Sequence, residues 1–204
     1  MNLFIRPAQR EDVEVAIPLI YQSGPHELDY GFQVGAKTTH EFVRKCFLSD
    51  KGIFSWKIHR VAEVNGRVVG IGAFFSGANY GKYSNRLMIE IFKFYPLTKI
   101  AGVLLRLLHL TSIMPAMGKD VWFLTDFAVH SSTQSLGIGR AMLEEQIAFA
   151  RKHGYRYFGL DVAADNPRAR ALYERMGLRV VKENVFKGPK GKLANGLRML
   201  LELR

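Results

Sequence analysis

The stretch Val121-Trp122-Phe123-Leu124-Thr125-Asp126-Phe127-Ala128-Val129, with Gln134-Ser135-Leu136-Gly137-Ile138-Gly139-Arg140-Ala141-Met142 a short way behind it, decides how this chain is read. The first run is apolar and strand-like, and the second opens a helical pattern. Two glycines one residue apart let the backbone turn tightly and approach a ligand with no Cβ in the way. The first amides of a helix point outward unpaired, and the helix dipole adds partial positive charge there. Strand, glycine loop and helix start together make a cradle for a pyrophosphate. Two common cradles do not fit. A P-loop needs Gly-Lys-Ser/Thr, whereas Gly139 is followed by Arg140 and Ala141; a dinucleotide fingerprint needs a third small residue where Met142 stands.

A second motif lies downstream: Asp165-Asn166-Pro167-Arg168-Ala169-Arg170-Ala171-Leu172-Tyr173-Glu174-Arg175-Met176-Gly177. Asn166 suits an N-cap, Pro167 the first helical position, and Gly177 a left-handed helix end. Ala169, Leu172, Tyr173 and Met176 follow the i, i+3, i+4, i+7 spacing of one apolar helix face, and that face carries the tyrosine. Tyr157–Ala163 before it and Leu178–Val181 after it read as strands.

Gln-x-x-Gly-x-Gly after a strand, then Asn-x-x-Ala-x-x-Leu-Tyr-x-x-x-Gly about thirty residues on, resembles the GNAT acetyltransferase superfamily over residues 121–181. Ile5-Arg6-Pro7-Ala8 followed by Glu11-Asp12 is similar to that family's first strand running into its first helix. The resemblance implies transfer of an acetyl group from acetyl-CoA, a co-substrate, to a primary amine by direct attack in a ternary complex. It assigns coenzyme contacts to the strand residues Phe127, Ala128 and Val129. It assigns the pyrophosphate to the cradle Gln134, Ser135, Leu136, Gly137, Ile138, Gly139 and Arg140, and the coenzyme arm to Asn166. Tyr173 would touch the coenzyme and protonate the departing thiolate. The plainer readings stand beside these: Asn166 as an N-cap only, Tyr173 as a core aromatic, Gln134 as a brace of its loop. A non-catalytic acyl-CoA-binding regulatory module is the alternative function.

The general base is left open among Asp126, Glu27, Asp29, His26 and a water chain. An attacking ammonium has a pKa near about 10 and must lose a proton first. The acceptor is also open. His26, Glu27, Asp29 and Tyr30 would suit a cationic small amine, and the apolar stretch at 76–120 suggests an acceptor with hydrophobic parts, with a protein N-terminus or lysine as further options.

Composition fits one α/β domain over residues 1–204. With 204 residues, 48% of them hydrophobic, the chain can bury a sizeable core. A single cysteine, Cys46, excludes an internal disulfide framework and suggests a cytoplasmic, reducing setting, with Cys46 packing on a helix. Residues 1–7 do not read as a signal peptide. Six scattered histidines lack metal-ligand spacing, so no metal is expected. The net charge of +11 is dispersed, without an aromatic-interleaved basic stripe. It suits steering of an anionic coenzyme better than nucleic-acid binding.

Along the chain, residues 3–8 read as a strand, 10–22 as a helix, 23–31 as a loop and 38–48 as a helix. Ile58–Val64, Asn65-Gly66 and Arg67–Phe75 give a hairpin with a type I′ turn. Residues 76–84 read as a loop, and Leu87–Tyr95 and Leu97–Ile113 as helices parted by Pro96. Lys99, Arg106 and His109 break every window of about 20 residues that a transmembrane span would need. These helices suit a lid beside the acceptor site, with membrane-surface association or a homodimer contact as other uses. The 121–129 strand, 138–153 helix, 156–163 strand, 167–176 helix and a final strand pair ending in Arg198–Leu203 follow. The expected architecture is a mixed, mostly antiparallel sheet flanked by helices, with a helical insertion before the cradle strand.

Overall fold

A computed structural model describes residues 2–204. Its strands are β1 (Leu3–Pro7), β2 (His59–Val64), β3 (Arg67–Ser76), β4 (Val121–Val129), β5 (Tyr157–Ala163), β6 (Arg179–Asn184) and β7 (Gly196–Glu202). They form one sheet in the order β1-β2-β3-β4-β5-β7-β6. Every neighbouring pair is antiparallel except β4 and β5, which run parallel. The expected mixed α/β architecture with a mostly antiparallel sheet holds.

Seven α-helices accompany the sheet among the described residues: α1 (Val13–Ser23), α2 (Pro25–Phe32), α3 (Thr39–Phe47), α4 (Tyr80–Phe94), α5 (Leu97–Ile113), α6 (Ile138–Lys152) and α7 (Pro167–Arg175). Ile17, Leu28, Phe42, Ile91 and Val103, one from each of α1 to α5, share a core with Val61, Ile71 and Ala128. Ile138 and Met142 of α6 pack with Ala62 instead. Val61 and Ala62 are successive residues of β2, and successive side chains on a strand face opposite ways. The first five helices therefore cover one face of the sheet and α6 the other.

Local chemistry accounts for most boundaries. Asn65 and Gly66 take positive φ values of 50° and 79°, the pattern of a type I′ turn, and close the β2–β3 hairpin. Thr38 caps α3 in a reciprocal capping box with Glu41. Pro96 separates α4 from α5, consistent with its missing N–H and its steric restriction of the residue before it. Among the described residues no helix is long and apolar enough to cross a membrane.

Two expected loops are helical. Residues 23–31 fold mainly as α2: Pro25 occupies the first turn, and Leu28, Gly31 and Phe32 turn one face into the core. Residues 76–84 form a short 3₁₀ turn at Gly77–Asn79 and then the first turn of α4. Tyr80 and Tyr83 pack against the Phe75, Val121 and Phe123 cluster. In both places burial of one face outweighs a local composition rich in glycine, serine and asparagine.

Candidate active site

The parallel pair β4–β5 stays in register only from Val121↔Tyr157 to Leu124↔Leu160. Beyond it, Thr125–Val129 pairs only with β3, and Asp161–Ala163 only with β7. The strands part, and a cavity of about 310 Å³ opens in the gap, lined by Thr125, Asp126 and Phe127 on one side and by Asp161, Val162 and Ala163 on the other. Asn166 and Tyr173 also line it. The edge of β4 facing this gap has backbone groups with no strand partner, as an extended ligand arm requires.

A bulge shapes the β4 side. Ile71 pairs with Ala128 and Ala73 with Thr125, so Asp126 and Phe127 together oppose Gly72. Asp126 takes a left-handed φ of 54°, a conformation that Asp tolerates better than most residues. A Cβ on residue 72 would stand 2.9 Å from the Phe127 ring, so glycine leaves room for the bulge. The bulge sets Asp126 Oδ2 at 3.5 Å from His59 Nε2. His59 is 1% exposed, and its Nδ1 lies 2.8 Å from the Ser55 carbonyl oxygen. A carbonyl only accepts, so Nδ1 carries the hydrogen, and Nε2 is the ring nitrogen turned toward the carboxylate. Neither Nε2 nor Oδ2 has another hydrogen-bond partner. Asp126 Oδ1 accepts from the Thr125 hydroxyl at 3.3 Å.

Across the gap, Asn166 caps α7: its Oδ1 accepts from the Ala169 amide at 3.1 Å. That bond uses the oxygen and leaves the Nδ2 hydrogens, so one side chain has groups for both the cap and a ligand. Tyr173, 6% exposed, sits on the same helix within the cavity wall. Burial pushes its phenol well above the ordinary tyrosine value, which keeps the hydroxyl protonated.

The glycine cradle follows the open end of β4. Ser135 and Gly137 have φ values of 68° and 80°, and Gly137 is the N-cap of α6. Ala141 N–H is the donor that bonds back to Gly137, at 2.9 Å. Ser135, Leu136 and Gly137 are exposed, whereas Ile138 is buried beneath the loop. A Cβ on Gly139 would lie 3.6 Å from the Phe127 ring and 3.5 Å from Leu172, so the helix start adjoins the cavity wall. Gln134 braces the turn by donating to the Val129 carbonyl at 3.1 Å, and Gln22 donates to the same oxygen at 3.2 Å. Arg140 pairs with Glu144 one turn along α6, at 2.7 Å.

The remaining candidates separate clearly. Asp29 accepts from the Tyr21 hydroxyl at 2.7 Å and the Thr39 hydroxyl at 2.6 Å, joining α1, α2 and α3. Neither Asp29 nor the exposed His26 lines the cavity, whereas half-buried Glu27 does. Cys46 is buried, and burial raises its thiol far above the ordinary range, as suits a packing residue. Sequence reasoning missed His59, which reads there as one more strand residue.

An open cleft thus lies between two parting parallel strands, with a glycine-rich helix start at its side. The sequence matches the model of the Acetyltransferase (GNAT) family over residues 28–178. The chain belongs to that family. An N-acetyltransferase from Staphylococcus aureus Mu50 superposes with a TM-score of 0.74 at 16% identity, covering 97% of this chain and 100% of its own. The ribosomal-protein-S18-alanine N-acetyltransferase from Escherichia coli gives 0.55 at 17% identity, covering 99% and 94%. The yncA protein of Salmonella typhimurium, solved with its cofactor acetyl-CoA, gives 0.57 at 15% identity, covering 99% and 94%. At these identities the likeness is one of fold. No curated protein sequence matches the chain significantly.

Proposed function

We propose that the chain works as one acetyl-CoA-dependent N-acetyltransferase unit that acetylates a primary amine in a ternary complex. The observation that carries this reading is the cavity between β4 and β5, whose lining includes Asp126 from β4 together with Asn166 and Tyr173. The residues fit the coenzyme. The exposed turn at Ser135–Gly137 offers helix-start amides to a pyrophosphate, with Arg140 alongside. The unpaired β4 edge at Phe127–Val129 and the Asn166 Nδ2 group suit an amide-bearing arm.

Acetyl-CoA, when bound, supplies the acetyl group as a reactive thioester. The amine nitrogen forms its bond to the carbonyl carbon as the carbon–sulfur bond breaks. Backbone N–H groups at the open edge of β4 stabilise the charge that develops on the carbonyl oxygen. The His59–Asp126 pair takes the proton released by the ammonium. Free of its proton, the pair sets two lone-pair-bearing atoms face to face, and a proton held between them removes that repulsion. Tyr173, kept protonated by burial, gives its proton to the departing thiolate and is reprotonated by the second proton that the nitrogen loses as the amide forms.

The test is thiol release from acetyl-CoA across amines, amino acids, polyamines and basic peptides, with coenzyme binding followed by calorimetry. Amine-dependent release is expected. Tight coenzyme binding without release for any acceptor would instead mark a binding module, and absence of binding would remove the cradle assignment.

A further inference from the structure

We infer that the acceptor is a monoamine with an apolar body, seated with its ammonium toward Asp126 and its body between α2, α4 and α5. This rests on the transferase reading and adds the chemical class of acceptor. The cavity does not end at the strand gap. It continues beneath the two helices inserted between β3 and β4, where its wall is formed by Leu28, Phe32, Phe54, Met88, Leu107 and Leu110. Four of these are aliphatic and two aromatic, drawn from α2, α4, α5 and the segment before β2. Such a wall binds hydrocarbon by removing it from water, and it offers a charged group nothing.

The ionisable groups of the lining sharpen the choice. They are Glu27, Asp126, Asp161, Tyr80 and Tyr173; among the described residues no lysine or arginine contributes. An acceptor carrying a carboxylate or phosphate would therefore enter without a cation to meet it. Asp161 is engaged by Arg198 through Nε at 3.0 Å and Nη2 at 2.9 Å, so its charge is balanced in place. Burial holds the Tyr80 phenol in its neutral form. Asp126 and the first-turn residue Glu27 remain to receive an ammonium, and Asp126 is the one at the strand gap where transfer occurs. Beyond Asp126 and Glu27 the apolar wall carries no carboxylate free to pair, so a polyamine with three ammonium groups would bury one without a partner.

The test measures kcat/KM for thiol release with linear alkylamines from propylamine to octylamine, beside spermidine, free lysine and a lysine peptide. A parallel titration measures binding of the same alkylamines to protein preloaded with coenzyme A. The expected result is a rise of about fourfold per added methylene, with spermidine and lysine at least about a hundredfold below octylamine. Leu107→Ala shortens the wall at a half-buried position and should lower the octylamine-to-propylamine ratio about fivefold; Met88→Ala, on α4, should act in the same direction.

A flat chain-length series, or spermidine outpacing octylamine, overturns the inference and leaves the transferase reading intact. Chain-length-dependent binding without thiol release for any amine keeps the apolar pocket and sinks the transferase reading. Neither binding nor release removes both.

Discussion

His59 Nε2 and Asp126 Oδ2 face each other at 3.5 Å with no other partner, although one lies on β2, the other on β4, and β3 runs between them. The contact exists because the β4 bulge turns Asp126 out of strand alternation. Two buried polar atoms without further partners, one of them on a residue in a left-handed backbone conformation, are the kind of local cost retained at functional sites. Asp126→Asn keeps the shape and removes the proton acceptor. It should lower kcat/KM by about 10²-fold near neutral pH. The deficit should shrink as pH approaches about 10, where the amine arrives already unprotonated. A deficit unchanged across that range would take Asp126 out of the proton-transfer step.

Gly137 concerns the coenzyme alone. Its φ of 80° is unfavourable for any side chain, and nothing lies within 4 Å of where a Cβ would stand. Gly137→Val therefore meets no clash; its cost is backbone strain on the order of 1–3 kcal/mol, relieved by re-forming an exposed loop. Acetyl-CoA affinity should fall at least about tenfold, the equivalent of roughly 1.4 kcal/mol, while thermal unfolding changes little. Unaltered affinity in calorimetry would move the pyrophosphate elsewhere.

Much of the framework was legible because its signals are local. Asn65-Gly66 sets a turn by its own backbone preferences, and Asn166-Pro167 starts α7 by capping. The β4 strand and the α6 start were legible for the same reason. The misread pieces depend on distant partners. Residues 25–32 are helical because Leu28 and Phe32 find a core built by α1, α3 and α5. The loop-like composition around Tyr80 hid aromatic side chains that pack on β3 and β4. The His59–Asp126 contact lay furthest from view. It requires the β2–β3 register, the β3–β4 register and a bulge, and none of these is written beside either residue.

Acid stability should report on a different pair. Asp12 accepts from Arg6 through Nη1 at 2.8 Å and Nη2 at 2.9 Å, and from the Gln9 amide at 2.7 Å. Burial alone would raise its carboxyl, but these bonds prevail and hold it below the ordinary value. A depressed folded-state pKa means stability present above the unfolded value of about 3.9 and lost as pH falls through the lower folded value. Asp12→Asn should cost about 2 kcal/mol near neutral pH and flatten that acid loss. Urea unfolding at pH 7 and pH 3 checks both, and equal acid sensitivity in the variant would assign the loss to other carboxylates.

Tyr173→Phe deletes one oxygen from a buried ring and keeps the ring's place in the core cluster that includes Leu143, Phe158 and Leu178. If the hydroxyl acts only on the leaving thiolate, the substitution should lower kcat about 10²-fold and leave acetyl-CoA affinity nearly unchanged. The direction of the tyrosine's shift adds a second constraint. Because burial raises the phenol, the acid form persists above the ordinary tyrosine value of about 10, so loss of this proton should not limit the rate below that pH. A structural tyrosine would show the opposite pattern, with kcat preserved and unfolding moved to lower temperature. Measuring kcat, coenzyme affinity and thermal unfolding on the one variant separates the two, since only a proton donor loses turnover while the fold and the coenzyme site stay as they were.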